Sequence, residues 1–244
     1  MSASTGLQST KRIPRRERLI VALDVPSADG ARALVARLGD AAAFYKLGLE
    51  LFMAGGCLEL VEWLAAGGNR VFVDLKFFDV PETVRGAVRA LRGRGVTLAT
   101  VHGNQAMMAA AAAEKGEVKI LGVTVLTSLD RGDLDDLGFQ CDVERLVLSR
   151  ARRALEAGCD GVISSGLEAA TLKRELGERI LVVAPGIRPV ENRPADDQKR
   201  TVDVAQAFAN GADYIVVGRP IRQAADPRAA AEGIQATIAA IFPE

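Results

Sequence analysis

From Arg18 onward, short continuous apolar runs alternate with longer stretches in which apolar residues recur every three or four positions. The short runs read as strands: "RLIVALDV" (18–25), "AFYKLGL" (43–49), "RVFVDLKF" (70–77), "TLATVHG" (97–103), "VKILGVTVL" (118–126), "DGVISS" (160–165), "ILVVAPGI" (180–187) and "DYIVVGRP" (213–220). The stretches between them, such as "DGARALVARLG", "PETVRGAVRALRGRG" and "DVERLVLSRARRALEAG", have helical spacing and end on glycine. Pro81 opens one of them, where its missing N–H costs nothing. Strands apolar along their whole length, each followed by a helix, predict parallel pairing with both sheet faces covered. Eight such units predict a closed (β/α)8 TIM barrel. An open doubly wound sheet would show the same alternation, but "ALDVPSADG" stands where its dinucleotide-binding glycine fingerprint belongs. No linker interrupts the pattern, so residues 18–244 are expected to form one domain, preceded by a flexible polar and basic extension over 1–17.

Composition narrows the function. Thirty-one basic residues balance thirty-one acidic ones in a chain of 244, so no global field points to nucleic acid or a membrane surface. No apolar run reaches the roughly 18–20 residues that span a bilayer. The start, "MSASTGLQSTKRIPRRER", lacks the apolar core of a secretory signal. Cys57, Cys141 and Cys159 are scattered and odd in number, which argues against a disulfide framework and a zinc site. A reducing, cytoplasmic setting is expected.

In a barrel of this kind chemistry sits where strands run into the loops that follow them. Those ends carry Asp24, Lys46, Asp74 with Lys76, His102, Thr127, Gly186 with Arg188, and Gly218 with Arg219. The N-terminal strand ends show no comparable set. Side chains alternate along a strand, so Asp74 and Lys76 should share a face, with Lys46 one strand away. A single pair could be a structural ion pair; an alternating array of four charges, with Asp79, points to function. Asp79 itself, taken alone, reads first as a carboxylate at a helix N-terminus. His102, the only histidine, could simply be packed, and Thr127 could cap a turn. "GIRPVENRPADDQKR" (186–200) is long for such a loop and suggests a lid. "VVGRP" offers a glycine amide and a forked cation suited to a phosphate.

The segments "ALDV", "KLGLELF", "VFVDLKFFDVPETV", "TVHG", "VTVLTS", "APGIRP", "DQKR" and "DYIVVGRPI" occur in one order from residue 18 onward. Together they resemble the orotidine 5′-phosphate decarboxylase family. Phe78, Val80 and Glu82 depart from that family's usual DLKFHDIPNT text, at positions not expected to carry the chemistry. The resemblance implies decarboxylation of orotidine 5′-phosphate to UMP, the last step of de novo pyrimidine synthesis, with no metal or organic cofactor. It implies catalytic roles for Lys76, Asp74, Asp79 and Lys46. Substrate contacts are implied for Asp24, Lys46, Thr83, Thr127, Arg188, Gln198, Gly218 and Arg219, with His102, Val80, Pro185 and Gly186 lining the pocket. It further implies a homodimer in which Asp79 and Thr83 serve the partner's site. The DxKxxD core alone is shared with magnesium-dependent phosphosugar decarboxylases and synthases, which Lys46 and the LTS segment argue against. A non-catalytic nucleotide-binding barrel would have no need of Lys76.

Overall fold

Each apolar run becomes one strand, and each strand pairs with the next in parallel until the eighth closes on the first. In the computed structural model, which describes residues 7–188 and 200–243, the strands are β1 Leu19–Ala22, β2 Phe44–Gly48, β3 Arg70–Phe77, β4 Val96–Val101, β5 Lys119–Val123, β6 Gly161–Ile163, β7 Leu181–Ala184 and β8 Tyr214–Val217. Around them lie α1 Ala28–Leu38, α2 Leu49–Met53, α3 Cys57–Ala66, α4 Pro81–Arg89, α5 Gln105–Glu114, α6 Arg131–Asp136, α7 Val143–Glu156, α8 Ala169–Leu176, α9 Val204–Ala209, α10 Arg219–Arg222 and α11 Pro227–Ile241. Local chemistry sets where the longer helices begin. Ser27, Asn104, Asp142 and Asp226 each accept a backbone N–H of the first turn, and Pro81 and Pro227 occupy first-turn positions.

Alternation along the strands divides the apolar residues into two cores. Outward-facing side chains such as Leu19, Val21, Tyr45, Leu47, Val71 and Val73 meet the helices. Inward-facing ones, including Ile20, Ala22, Phe44, Phe72, Leu98, Leu121, Val183 and Val216, fill the barrel. Phe44 and Tyr214 meet edge to face inside it, with ring centroids 5.8 Å apart. The register then stacks polar groups above this plug. Ala22 lies opposite Lys46, Lys46 opposite Phe72, and Gly48 opposite Asp74.

The strands are shorter than their apolar runs. β1 ends at Ala22 and β5 at Val123, so Asp24 and Thr127 stand on the rim just past them. β3 reaches its expected end, but not regularly: between Val73 and Phe77 it advances four residues while β4 advances two, from Ala99 to Val101. That bulge contains Asp74 and Lys76.

The N-terminal edges do carry a charged cluster, contrary to expectation. Asp213, just before β8, meets Lys173 of α8 at 3.1 Å and Lys11 at 3.4 Å, and Glu178 meets Lys11 at 2.6 Å. Ser9 donates to Asp213, and Val182 N–H donates to it at 2.8 Å. The stretch before Arg18 is described from Leu7, and through Ser9 and Lys11 it is tied to the bottom of the barrel.

Candidate active site

Four charges from the first three strands form an alternating chain across the rim. Lys46 Nζ lies 3.0 Å from Asp24 Oδ1 and 3.5 Å from Asp74 Oδ2, and Lys76 Nζ lies 2.9 Å from Asp74 Oδ1. Lys46 is almost wholly buried. Burial works against its ammonium, but Asp74 and Asp24 together outweigh that and raise its pKa above the ordinary lysine value. Lys76 differs: its side chain is 36% exposed and its ammonium, among the described residues, meets one carboxylate. One end of the array is therefore locked and the other open to a ligand.

Two supports of this array were not legible as site residues. A Cβ at Gly48 would stand 2.9 Å from Lys46 Nζ and 3.0 Å from Asp24 Oδ1, so any larger residue would push the pair out of its present position. Thr100, fully buried on β4, donates its hydroxyl to Asp74 Oδ1 at 3.0 Å and accepts Lys76 N–H at 2.9 Å. Alternation along β4 could have marked Thr100 as inward-facing; the bulge that brings it to Lys76 has no signature in the text.

The other expected residues fall at different depths. Asp79 is exposed, accepts the adjacent Val80 N–H at 2.6 Å, and makes no ion pair among the described residues. Val80 and Thr83 beside it are exposed as well. His102 is half-buried and meets Phe78 edge to face at 5.5 Å; burial, Arg150 and Lys76 all lower its pKa, favouring the neutral imidazole. At the far side of the rim Gly218 approaches β1: a Cβ there would lie 3.5 Å from Ala22 Cβ and 3.7 Å from Asp24 Oδ2. Arg219 follows, half-buried. Pro185 is half-buried, Gly186 is buried with φ 75°, and Arg188 is buried with Nη1 on the Ile187 carbonyl at 2.9 Å. Gln198 lies outside the described residues.

Thr127 is buried, and its carbonyl accepts Arg200 N–H at 3.3 Å. Arg200 also pairs with buried Glu168 at 2.6 Å and donates to the Val125 and Leu126 carbonyls at 2.9 Å each. It thus fastens the end of the long loop to the segment carrying Thr127. Arg200 closes the quoted "DQKR" motif, the one textual signal that could have found it; Glu168 had none. Among the described residues no group of three or more His, Cys, Asp or Glu side chains could hold a metal ion, and no helix is long and apolar enough to cross a membrane.

Comparison with known proteins bears on this arrangement. The family model described as "Orotidine 5′-phosphate decarboxylase / HUMPS family" matches residues 17–234. An orotidine 5′-phosphate decarboxylase of Methylococcus capsulatus is 68% identical over 234 residues, covering 96% of this chain and 97% of that protein. One from Xanthomonas euvesicatoria is 53% identical over 230 residues, 93% of this chain and 94% of its own length. Among solved structures, the orotidine 5′-phosphate decarboxylase of Lactobacillus acidophilus superposes with a TM-score of 0.80 at 35% identity, covering 91% of this chain and 99% of its own.

Proposed function

Because this chain belongs to the orotidine 5′-phosphate decarboxylase family, we infer from that membership that it converts orotidine 5′-phosphate to UMP and CO₂ in pyrimidine biosynthesis. The chemical difficulty is electronic. Breaking the bond from C6 to the carboxylate leaves an electron pair in an sp² orbital perpendicular to the ring π system, where the ring delocalises it poorly. A cation fixed beside C6 is the direct remedy, because it stabilises charge that exists only as the bond breaks.

The observation that carries this reading is the alternating chain Asp24–Lys46–Asp74–Lys76 with its ammonium end open. Lys76 faces the developing carbanion and then transfers a proton from Nζ to C6, regaining one from solvent afterwards. Asp74 holds Lys76 and lies near the departing carboxylate. Two unit charges about 4 Å apart at an effective dielectric near 20 interact by roughly 4 kcal/mol. Repulsion of the substrate carboxylate thus supplies at most about half of the roughly 8–23 kcal/mol by which enzymes typically lower barriers (about 10⁶- to 10¹⁷-fold). Asp24 accepts from ribose hydroxyls and Lys46 bridges them to the array. Thr127 meets the pyrimidine amide edge. The Gly218 amide and Arg219 hold the phosphate, with Arg188 and Gln198 closing over it; His102, Pro185 and Gly186 line the pocket.

A homodimer completes the site. Asp79 and Thr83, exposed in their own barrel, serve the array of a partner, with Val80 at the seam. Support comes from the exposed apolar side chains on the same two rim segments: Leu49, Phe52 and Met53 on α2, and Phe78 and Val80 after β3. Solvent-facing side chains of this size, concentrated on adjoining segments, mark an interaction surface. The free thiols of Cys57, Cys141 and Cys159 suit the reducing cytoplasm.

Two experiments test the two parts. Protein treated with EDTA should release CO₂ from orotidine 5′-phosphate, and a mixture of inactive Lys76→Ala and Asp79→Ala chains should regain activity through one intact hybrid site. Tight UMP binding with no CO₂ release would mean a nucleotide-binding barrel. No recovery despite verified subunit exchange would exclude the shared site.

A further inference from the structure

Lys76 is the only non-glycine residue among those described whose φ is positive, at 51°. L-residues avoid this left-handed region because Cβ crowds the neighbouring carbonyl, and such strain persists only where the surroundings impose it. What imposes it here is visible. Within the β3 bulge the Lys76 N–H bonds the Thr100 hydroxyl at 2.9 Å instead of a β4 backbone carbonyl. The N–H can only donate and an ionised carboxylate can only accept, so the single hydroxyl proton of Thr100 is committed to Asp74 Oδ1 at 3.0 Å. Asp74 Oδ1 in turn receives Lys76 Nζ at 2.9 Å. These contacts make a closed loop: Lys76 backbone, Thr100 hydroxyl, Asp74 carboxylate, Lys76 ammonium. Thr100 is fully buried, so water cannot take its place.

We propose that Thr100 is a positioning residue for the decarboxylation: its hydroxyl holds both ends of Lys76 through the backbone N–H and Asp74, and so fixes the ammonium where C6 becomes electron-rich. This rests on the role given to Lys76 above. Thr100 touches no reacting atom; it acts by keeping the lysine in a backbone conformation it would otherwise leave. A displacement of about 1 Å in a reacting group costs on the order of 100-fold in rate, which sets the expected effect. Substrate affinity depends on groups at the other end of the site and should change little.

The test compares Thr100→Val, which keeps shape and removes the hydroxyl, with Thr100→Ser, which keeps the hydroxyl. Thr100→Val should lower kcat about 100-fold, with KM within roughly threefold of the parent, while Thr100→Ser should retain kcat within a few-fold. Should the valine chain not fold, Thr100→Ala removes the same hydroxyl without crowding the barrel. In the inactive Lys76→Ala background, removing the hydroxyl should cost nothing further, because residues acting as one unit are not additive. Thr100→Val or Thr100→Ala with near-parental kcat, or a loss that serine does not rescue, overturns the proposal while leaving Lys76 in place. An active Lys76→Ala chain would instead overturn the reading of the site itself.

Discussion

Two lysine–aspartate clusters sit at opposite ends of this barrel, and their difference is what the proposed division into chemistry and scaffolding rests on. At the bottom, Asp213 is fully buried and takes Lys11, Lys173, Ser9 and the Val182 N–H; Lys173 also meets Glu178 at 3.3 Å. Burial, with Lys11 close by, lowers the Lys173 pKa despite Asp213. Its centre, Asp213 with Lys173, is sealed from solvent while Glu178 lies at its exposed edge, and its members join the stretch before β1 to the last strands. At the top, Lys46 lies between two carboxylates that raise its pKa, and Lys76 keeps one carboxylate, an open side and a strained backbone. Saturation marks the structural cluster. Incomplete pairing combined with strain distinguishes the cluster proposed to be catalytic.

The contrast can be broken most forcefully at Asp213. Asp213→Asn leaves Lys173 and Lys11 with Glu178 as their one shared carboxylate and should lower unfolding free energy by about 3–5 kcal/mol, read by denaturant titration. The kcat of the folded fraction should not change; a kcat loss at full folding would give the bottom cluster a catalytic role. Smaller in effect, Arg219→Ala should weaken UMP binding by roughly 10- to 100-fold, since a charge-assisted hydrogen bond contributes about 1.5–3 kcal/mol. Uridine binding, measured by calorimetry, should change less than about threefold; equal losses would remove the phosphate from Arg219. Smallest is the strain itself. Lys76→Gly should be more stable than Lys76→Ala by roughly 1 kcal/mol, because glycine adopts positive φ without steric cost. Equal stabilities would mean the bulge relaxes when the lysine is gone.

Much of the top cluster is legible in the text because its members lie at the ends of apolar runs, two residues apart or one strand over. All eight runs become strands, and Lys46, Asp74 and Lys76 meet as expected, but the fourth charge within their own barrel is Asp24 rather than Asp79. Thr100 and Gly48 are not legible because their contribution is local geometry: a bulge that replaces a backbone acceptor, and a space where a Cβ would crowd Lys46 and Asp24. Arg200 and Glu168 lie 32 residues apart and meet through loops, where no period constrains position. The bottom cluster is illegible for a related reason. Ser9 finds its partner 204 residues away, so a stretch that reads as a polar extension holds a side chain of the barrel floor.

The most direct measurement is turnover and nucleotide affinity of Lys76→Ala, determined side by side on folded protein. Loss of a general acid together with its fixed charge should reduce kcat by more than about 10⁴-fold, while UMP affinity stays within about tenfold. Turnover near that of the parent enzyme, or affinity falling in step with turnover, would contradict a lysine poised at the carbon that loses CO₂.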